Sequence, residues 1–493
     1  MAQLDLTAYD ATAIAKLIET KEITAAEALD ATLERIDSLN PKFNAISVDT
    51  RDRARAQLAG PLTGKFAGVP FLLKDIAQDY AGTKMTLGSR AMRNNVPTTN
   101  SIYVDRCLAA GLVIVGTTTT PELGLKAVTE TDLRGATRNP WDTSRTPGGS
   151  SGGGAAAASA RFVPMVGASD GGGSTRIPAS FCGLFGLKPS RGRVPDGPAV
   201  GELWEGAVAS LALSRSVRDS ANMLDCLAGA APGEPFVITP PVRPYSEEVG
   251  ANPGRLRIGF STRSPVGGRV DPDNVTAVLD AAKLLESLGH HVEEAEPEID
   301  GRALALSYIT MYYGHVSALT NYVKQLTGAK NSDFEIDTRA IAEMGNALSV
   351  SDFVTSVYGW NDYARALGTF HQRYDLFMTP TVAMAPSKIG ELSTPPLKVL
   401  LAKISVSLRL GKLMHKSGIV EELAMLNFER TPFTQLANLC FVPSMSVPLH
   451  QTATGLPVGV MFTAKSGAED VLFRLAGQLE QAAPWEHRRP PTI

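Results

Sequence analysis

Two glycine clusters that carry serines stand close together in the sequence, at Gly148–Gly152 and at Ser169–Ser174. Glycine loses more backbone freedom on folding than any other residue, so such clusters indicate backbone that must reach unusual angles or approach a ligand closely. In the second cluster, three consecutive glycines precede Ser174, and their N–H groups can point inward to form an anion-binding nest. A nucleophilic hydroxyl beside such donors is the arrangement that acyl transfer requires.

Two other kinds of site share parts of this pattern. GGSSG matches the nucleophile elbow of the α/β-hydrolases, but an elbow serine directly follows a buried strand, whereas the preceding segment here is DTSRTPGG. None of the seven histidines lies in a segment that indicates a triad. The lysine of a phosphate-binding loop is also missing. The residues therefore favour neither alternative, and the local sequence supplies no base for Ser174.

The composition is that of an ordinary globular protein. Of the 493 residues, 44% are hydrophobic and 20% charged, and the formal net charge of -3 gives no general attraction to nucleic acid or anionic lipid. The cysteines, Cys107, Cys182, Cys226 and Cys440, are far apart and form no CxxC pair, so neither a disulfide framework nor a zinc site is indicated. Because we find no secretory signal and no apolar run of about 18 residues, we expect a cytoplasmic protein.

Predicted strands and helices alternate along much of the chain, which indicates an α/β fold. Thr24 and Glu27 form a capping-box pattern at the start of a helix, and GVPFLLK is expected to form a strand that ends on Lys74. GAAAASA is expected to be helical and RFVPMVGAS to contain a strand. The segment at about 302–433 is mostly helical, and we interpret it as an insertion in one large domain over 1–493.

The chain resembles the amidase signature family over most of its length. The densest match is GGSSGGGAAAASARFVPMVGASDGGGSTRIPASFCGLFGLKPSRGRV, and GVPFLLKD and RNPWDTSRTPGGSSGG are similar to the family's lysine strand and the loop before its serines. RSVRDSANMLD, DLFMTPTVAMAP and GLPVGVMF follow in the family's order. The resemblance implies the amidase signature fold, which is an α/β single domain with a twisted mixed β-sheet covered by helices on both faces.

The resemblance supplies the missing base. It implies a triad in which Ser174 is the nucleophile, Ser150 is a bridging serine that follows a cis peptide from Gly149, and Lys74 is the base. A lysine acts as a base only when it is neutral, so burial must lower its pKa, and the apolar residues of PFLL before Lys74 provide for that burial.

Further residues take supporting roles by the same resemblance. The oxyanion is expected to be held by the N–H groups of Gly171, Gly172, Gly173 and Ser174. The side chains expected to support the site are Ser151, Asp170, Arg176 and Thr129. Apart from the resemblance, the candidates for the substrate pocket are Tyr308, Met311, Tyr312 and Tyr313, with Trp360, although aromatic stripes on helices are more often core.

The implied function is hydrolysis of the C–N bond of an amide through an acyl-enzyme, with no metal or organic cofactor. Ile76 replaces the family's usual asparagine, and this and other features resemble the 6-aminohexanoate cyclic dimer hydrolase branch more than the glutamyl-tRNA amidotransferase A subunit. We therefore expect a small, rather apolar amide, which is linear, cyclic or aryl. Alternatives are a carbamate or ester hydrolase with the same triad, a transamidating subunit, and a binding protein without turnover.

The expected partner is the small-molecule substrate, with no nucleic acid. Pro395–Lys416 intersperses apolar and basic residues. This pattern is typical of an amphipathic helix that covers the active site or an oligomer interface, or that lies on a membrane surface. We expect no stable membrane association, and a homodimer is left open.

Overall fold

The computed structural model of the chain describes residues 5–416, 425–426, 428–491 and 493. Within these residues, eleven strands form one mixed sheet in the order β1-β3-β2-β6-β8-β7-β12-β13-β11-β9-β10, and β4 and β5 form a separate hairpin. The strands are β1 Ile46–Asp49, β2 Pro70–Lys74, β3 Val113–Thr118, β4 Glu130–Thr131, β5 Gly135–Ala136, β6 Met165–Asp170, β7 Phe185–Lys188, β8 Ala209–Ser214, β9 Arg257–Phe260, β10 His291–Glu294, β11 Leu376–Pro380, β12 Ser444–Gln451 and β13 Pro457–Ala464.

Helices surround this sheet. They are α1 Ala11–Glu19, α2 Ala25–Phe43, α3 Arg51–Gln57, α4 Ile102–Ala109, α5 Gly152–Ser159, α6 Arg176–Cys182, α7 Val217–Leu227, α8 Pro272–Ser287, α9 Gly301–Thr327, α10 Ile336–Ala347, α11 Val350–Phe370, α12 Pro396–Leu408, α13 Gly411–Lys416, α14 Gln435–Leu439 and α15 Glu469–Ala482. The predicted capping box at the start of α2 is confirmed, because Thr24 and Glu27 each accept a hydrogen bond from the other's backbone N–H. None of the helices in the described residues is long and apolar enough to cross a membrane.

The sheet separates two apolar cores. Successive residues of β2 point to opposite faces, since Phe71 and Leu73 join one buried cluster and Leu72 joins the other. The first cluster includes residues of α1, α4, α7, α8 and α15, and the second includes residues of α2, α3, α5 and α6. Helices therefore cover both faces of a mixed sheet in a single domain, as the sequence predicts.

Two strands of this sheet position the serine clusters. β2 and β6 are parallel neighbours, with Leu72 opposite Val166. Because parallel strands end at the same edge of a sheet, Lys74 at the end of β2 and Asp170 at the end of β6 lie at one edge. The second glycine cluster begins there, and α6 follows it.

The segment 302–433 differs in one element from the helical insertion that we expect. It contains α9 to α13, but it also contains β11, which lies in the main sheet between β9 and β13. All five residues of β11 are buried, so its sequence lacks the alternation of apolar and polar residues that marks a half-exposed strand. The segment therefore contributes both to the sheet and to the helical layer beside it.

Candidate active site

The first serine cluster opens with two positions, Gly148 and Gly149, that only glycine fits. The peptide between Gly149 and Ser150 is cis, as expected. Gly148 has a φ of 92°, and a Cβ on Gly149 would lie 2.4 Å from the carbonyl oxygen of Lys126. Thr129 Oγ1 donates a hydrogen bond of 2.8 Å to the Gly148 carbonyl. The loop before Ser150 is therefore held closely against the Lys126–Thr129 segment.

Lys74 is buried against Ser150. Its Nζ donates hydrogen bonds to Ser150 Oγ at 2.8 Å and to Ser169 Oγ at 3.0 Å, with the Ser169 carbonyl oxygen at 3.3 Å. Only 1% of Lys74 is exposed. Burial lowers the pKa of Lys74 to about 7, although the nearby negative charge of Asp170 favours the protonated form. Lys74 therefore loses its proton near neutral pH while it contacts a serine hydroxyl.

The two serine clusters meet at this edge of the sheet. The Ser151 N–H donates a 3.3 Å hydrogen bond to the carbonyl oxygen of Ser174. Ser174 is partly exposed, whereas Ser150 is buried. The structure thus joins Lys74 to Ser150 through their side chains and places the Ser174 backbone against Ser151, the next residue.

The predicted set of oxyanion donors needs one correction. The N–H of Gly173 is not free, because it donates a 2.7 Å hydrogen bond to Asp170 Oδ1, and a charged carboxylate holds such a donor strongly. The N–H groups of Gly171, Gly172 and Ser174 have no acceptor among the described residues. Three of the four predicted donors therefore remain available to a ligand.

A buried ion pair fixes the shape of this loop. Asp170 and Arg176 are fully buried and joined by two hydrogen bonds, Nη2 to Oδ1 at 2.9 Å and Nε to Oδ2 at 3.0 Å. Burial by itself raises the pKa of Asp170, but the Arg176 guanidinium and the hydrogen bonds hold that pKa well below its usual range. The Thr175 N–H also donates to Oδ2, at 3.1 Å. Asp170 thus binds both ends of the turn that carries Ser174.

Replacing Asp170 by asparagine is expected to lower the free energy of unfolding by about 3–5 kcal/mol, because the buried Arg176 charge loses its partner. Denaturant titration of Asp170→Asn and wild type measures this difference. Asp30→Asn, which breaks the exposed pair with Arg55, is the matched control and should cost less than about 1 kcal/mol. Equal, small losses in both variants would contradict this account of the pair.

The remaining predicted residues occupy supporting places. Ser151 Oγ lies 3.4 Å from the carbonyl oxygen of Ser169, which is a long contact. Gly152 packs closely on Thr129, since a Cβ there would lie 2.2 Å from Thr129 Oγ1. Both Ser151 and Thr129 are therefore next to the serine clusters without contacting Lys74 in the described hydrogen bonds.

Several residues near the loop were not predicted. Asn438 Nδ2 donates to Asp170 Oδ1 at 3.0 Å, and Thr434 Oγ1 donates to the carbonyl oxygen of Gly172 at 2.6 Å. Ser169 accepts a hydrogen bond from Lys74. Asn438 and Thr434 lie more than 260 residues from the loop in sequence, and no local motif indicates the contact.

Aromatic side chains pack against the second glycine cluster. A Cβ on Gly172 would lie 2.1 Å from Tyr308 Oη, and one on Gly171 would lie 2.9 Å from Trp204 Cε3. The Trp204 and Tyr308 rings meet edge to face with centroids 6.4 Å apart. Tyr312 packs against Trp204 and donates to the Leu125 carbonyl. All five candidate pocket residues belong to one buried cluster, and Tyr308 among them directly contacts the loop that carries Ser174.

The chain matches one protein-family model and is similar to known proteins over nearly its whole length. The family model named Amidase matches residues 27–473. The chain is 37% identical to a 6-aminohexanoate-cyclic-dimer hydrolase of Pseudomonas sp. (strain NK87) and 36% identical to one of Paenarthrobacter ureafaciens, in each case over all of this chain and 98% of the relative. A solved structure of 6-aminohexanoate cyclic dimer hydrolase complexed with substrate superposes with a TM-score of 0.89 at 34% identity, covering 99% of this chain and all of the other.

The chain belongs to the amidase family. The predicted resemblance to that family, and to its cyclic dimer hydrolases, is confirmed. Its activity is hydrolysis of C–N amide bonds other than peptide bonds.

Proposed function

We propose that the chain hydrolyses a small, rather apolar amide through an acyl-enzyme on Ser174, with Ser150 as the proton relay and Lys74 as the base. The observation that carries the proposal is the 2.8 Å contact from Lys74 Nζ to Ser150 Oγ. It joins a serine hydroxyl to a buried lysine whose pKa is about 7. Neutral Lys74 can accept a proton from that hydroxyl at physiological pH.

In the proposed reaction, Ser174 Oγ attacks the carbonyl carbon of the amide. Its proton passes to Ser150, whose own proton passes to Lys74. Collapse of the tetrahedral intermediate breaks the C–N bond, and the proton returns through Ser150 to the leaving nitrogen. Water then attacks the acyl-enzyme by the same route, which releases the carboxylic acid and restores Ser174.

The negative charge on the tetrahedral oxygen needs donors that are in place before the reaction. We assign this role to the free N–H groups of Gly171, Gly172 and Ser174. The Asp170–Arg176 pair holds the turn that presents these groups, while Thr129 and Ser151 support the loop of Ser150. These four side chains are assigned positioning roles.

Replacing Gly172 by alanine tests the oxyanion loop. The new Cβ would meet Tyr308 Oη at 2.1 Å and Cζ at 2.7 Å, so the loop or the ring must move. Because misplacement of catalytic groups by about 1 Å costs on the order of 10²-fold, we expect kcat/KM of Gly172→Ala to fall by that factor. Gly359→Ala, where a Cβ meets nothing within 4 Å, is the matched control and should keep wild-type kcat/KM. Wild-type activity in Gly172→Ala would contradict the assignment.

Apolar and aromatic residues around the serines support a rather apolar substrate. A Cβ on Gly124 would lie 3.2 Å from Ile76 Cδ1 and 3.5 Å from Ser150 Oγ, so an aliphatic side chain and the relay serine flank the same residue. Tyr308 of α9 and Trp204 pack against Gly172 and Gly171 of the second glycine cluster. We therefore propose that α9, within the segment 302–433, helps to form the substrate pocket.

A panel of substrates tests this proposal. Linear, cyclic and aryl amides should be compared by kcat/KM with carbamates, esters and charged amides of similar size. We expect the highest values for uncharged amides with aliphatic or aryl groups, because a charged group would lose hydration against Ile76 and Trp204. Preference for a carbamate or ester would favour that alternative, and ammonia-dependent amide transfer to charged tRNA would favour the transamidating subunit.

We also propose a cytoplasmic location and a homodimer. All four cysteines are free and three of them are buried, which suits a reducing compartment. The amphipathic stretch Pro395–Lys416 forms α12 and α13, with Arg409 at a φ of 54° between them. The α12 side chains Leu397, Leu400, Leu401 and Leu408 are all more than half exposed, and this face supports the proposed dimer interface.

A further inference from the structure

A cavity of about 430 Å³ lies at the end of the sheet opposite Lys74 and Ser174. It borders Pro70, the first residue of β2, and Pro164, which directly precedes β6. The six residues of β6 span roughly 20 Å at about 3.3 Å per residue, so the cavity is separate from the candidate active site. Its volume falls in the range of about 300–1,000 Å³ that is typical of small-molecule sites.

The lining of this cavity combines basic residues with a set of apolar residues, which together form its apolar wall. The basic residues are Arg35, Arg161 and Arg215. The apolar wall contains Leu6, Ile14, Ala28, Leu39, Phe162 and Val163. Two side-chain carboxylates, Asp5 and Glu34, also line the cavity, as does Ile493.

Backbone carbonyl groups, rather than carboxylates, contact the three arginines directly. Arg161 and Arg215 are only 5% and 6% exposed, yet within the described part of the chain neither they nor Arg35 form an ion pair. Their donors instead meet backbone carbonyl groups: Arg161 Nη2 donates to Glu486 O at 2.7 Å, and Arg215 Nη1 donates to Thr7 O at 2.6 Å. Arg215 Nε is buried with no acceptor among the described residues. Carboxylates act on these charges from beyond ion-pair distance: Asp219, Glu486 and Asp10 on Arg215, Glu486 on Arg161, and Asp5 on Arg35. Buried charges are normally paired directly, and no anion of the described residues contacts these guanidinium groups.

The backbone of Arg161 is strained. Its φ of 59° is in the left-handed region, which residues other than glycine rarely adopt. Burial, and then the charge of neighbouring Arg215, lower the pKa of Arg161 to about 9. Asp5 attracts the Arg35 charge without a direct ion pair, and its carboxylate accepts hydrogen bonds from Thr7 N and Thr7 Oγ1.

We propose that this cavity binds a small organic carboxylate, with the carboxylate on Arg35, Arg161 and Arg215 and an aliphatic body against the apolar wall. A guanidinium presents parallel N–H groups that match the two oxygens of a carboxylate. The apolar wall then distinguishes such a ligand from inorganic phosphate. The proposal concerns a site other than the serines and does not depend on their role.

Calorimetric titration with hexanoate tests the site, with 1-hexanol and inorganic phosphate as comparisons. We expect hexanoate to bind wild type and both comparison compounds to bind at least about tenfold more weakly, because one lacks the charge and the other the aliphatic body. Ala31→Phe fills the cavity from α2, and Arg35→Gln removes one charge at its wall. Each should weaken hexanoate by at least about tenfold.

Arg55→Gln, which changes an exposed arginine on α3, is the matched control and should bind hexanoate as wild type does. Arg35 and Ala31 are chosen because Arg161 and Arg215 also hold distant backbone segments, and melting temperatures verify that the variants are folded. Hexanoate bound at the serine site would keep its affinity in Ala31→Phe and Arg35→Gln. That result, no binding of hexanoate, or tighter binding of phosphate or 1-hexanol would each overturn the proposal.

Discussion

Replacing Ser174 by alanine is expected to lower kcat/KM for amide hydrolysis by at least about 10⁴-fold, since no acyl-enzyme can form without the nucleophile. The protein should stay folded. Ser174 is partly exposed, and its described hydrogen bond uses the backbone carbonyl rather than the hydroxyl. Steady-state kinetics on the best amide of the panel, together with thermal melting, measure the two effects separately.

Ser151→Ala is the matched control for this variant. Ser151 is in the same serine-rich site, but its hydroxyl makes only a 3.4 Å contact to the Ser169 carbonyl oxygen. Its loss should reduce kcat/KM by less than about tenfold, in keeping with a weak hydrogen bond. Undiminished turnover by Ser174→Ala would refute the nucleophile assignment, and an equal loss in Ser151→Ala would show that the effect is not specific to Ser174.

Replacing Lys74 by methionine is expected to lower kcat/KM by at least about 10³-fold, because a general base contributes on the order of 10²–10⁴-fold and Ser150 also loses its hydrogen-bond donor. Methionine fills the buried site without a charge. In wild type, kcat/KM should rise with pH through about 7, since burial lowers the pKa of Lys74 to that value and only the neutral amine accepts a proton. Lys74→Met should lose this dependence, which a pH series of kcat/KM measures.

The chain offers a matched control in Lys188, a second fully buried lysine. Burial and the neighbouring Arg176 charge lower the pKa of Lys188 to about 7, but its Nζ donates to the carbonyl oxygen of Pro189 and contacts neither serine. Lys188→Met should therefore keep the rise of kcat/KM with pH and lose less than about tenfold of its magnitude. If Lys188→Met lost the pH dependence and Lys74→Met kept it, the base would be assigned to the wrong lysine.

The sequence reveals the parts of the site that depend on local pattern. Glycine repeats beside Ser150 and Ser174 mark backbone with no room for side chains, and PFLL before Lys74 marks a buried strand. Both features arise from neighbouring residues, so a single sequence carries them. The pairing of Lys74 with Ser150, in contrast, comes from the family resemblance, because 76 residues separate them.

The contacts that the sequence does not reveal join distant segments. Asn438 and Thr434 come from around α14 to hold the second glycine cluster, and nothing in their own stretch indicates that partner. The Gly173 N–H is used by Asp170 only because the turn folds back on the end of β6. Such details follow from packing in three dimensions, which periodicity and motif spacing do not record.

Labelling with a fluorophosphonate, followed by peptide mass spectrometry, tests the central claim most directly. Only a serine with an activated hydroxyl reacts with this probe at an appreciable rate. The account predicts one adduct on Ser174 in wild type, with labelling strongly slowed in Lys74→Met and retained in Lys188→Met. An adduct on Ser150 or another serine, or no adduct on wild-type enzyme that hydrolyses amides, would contradict it.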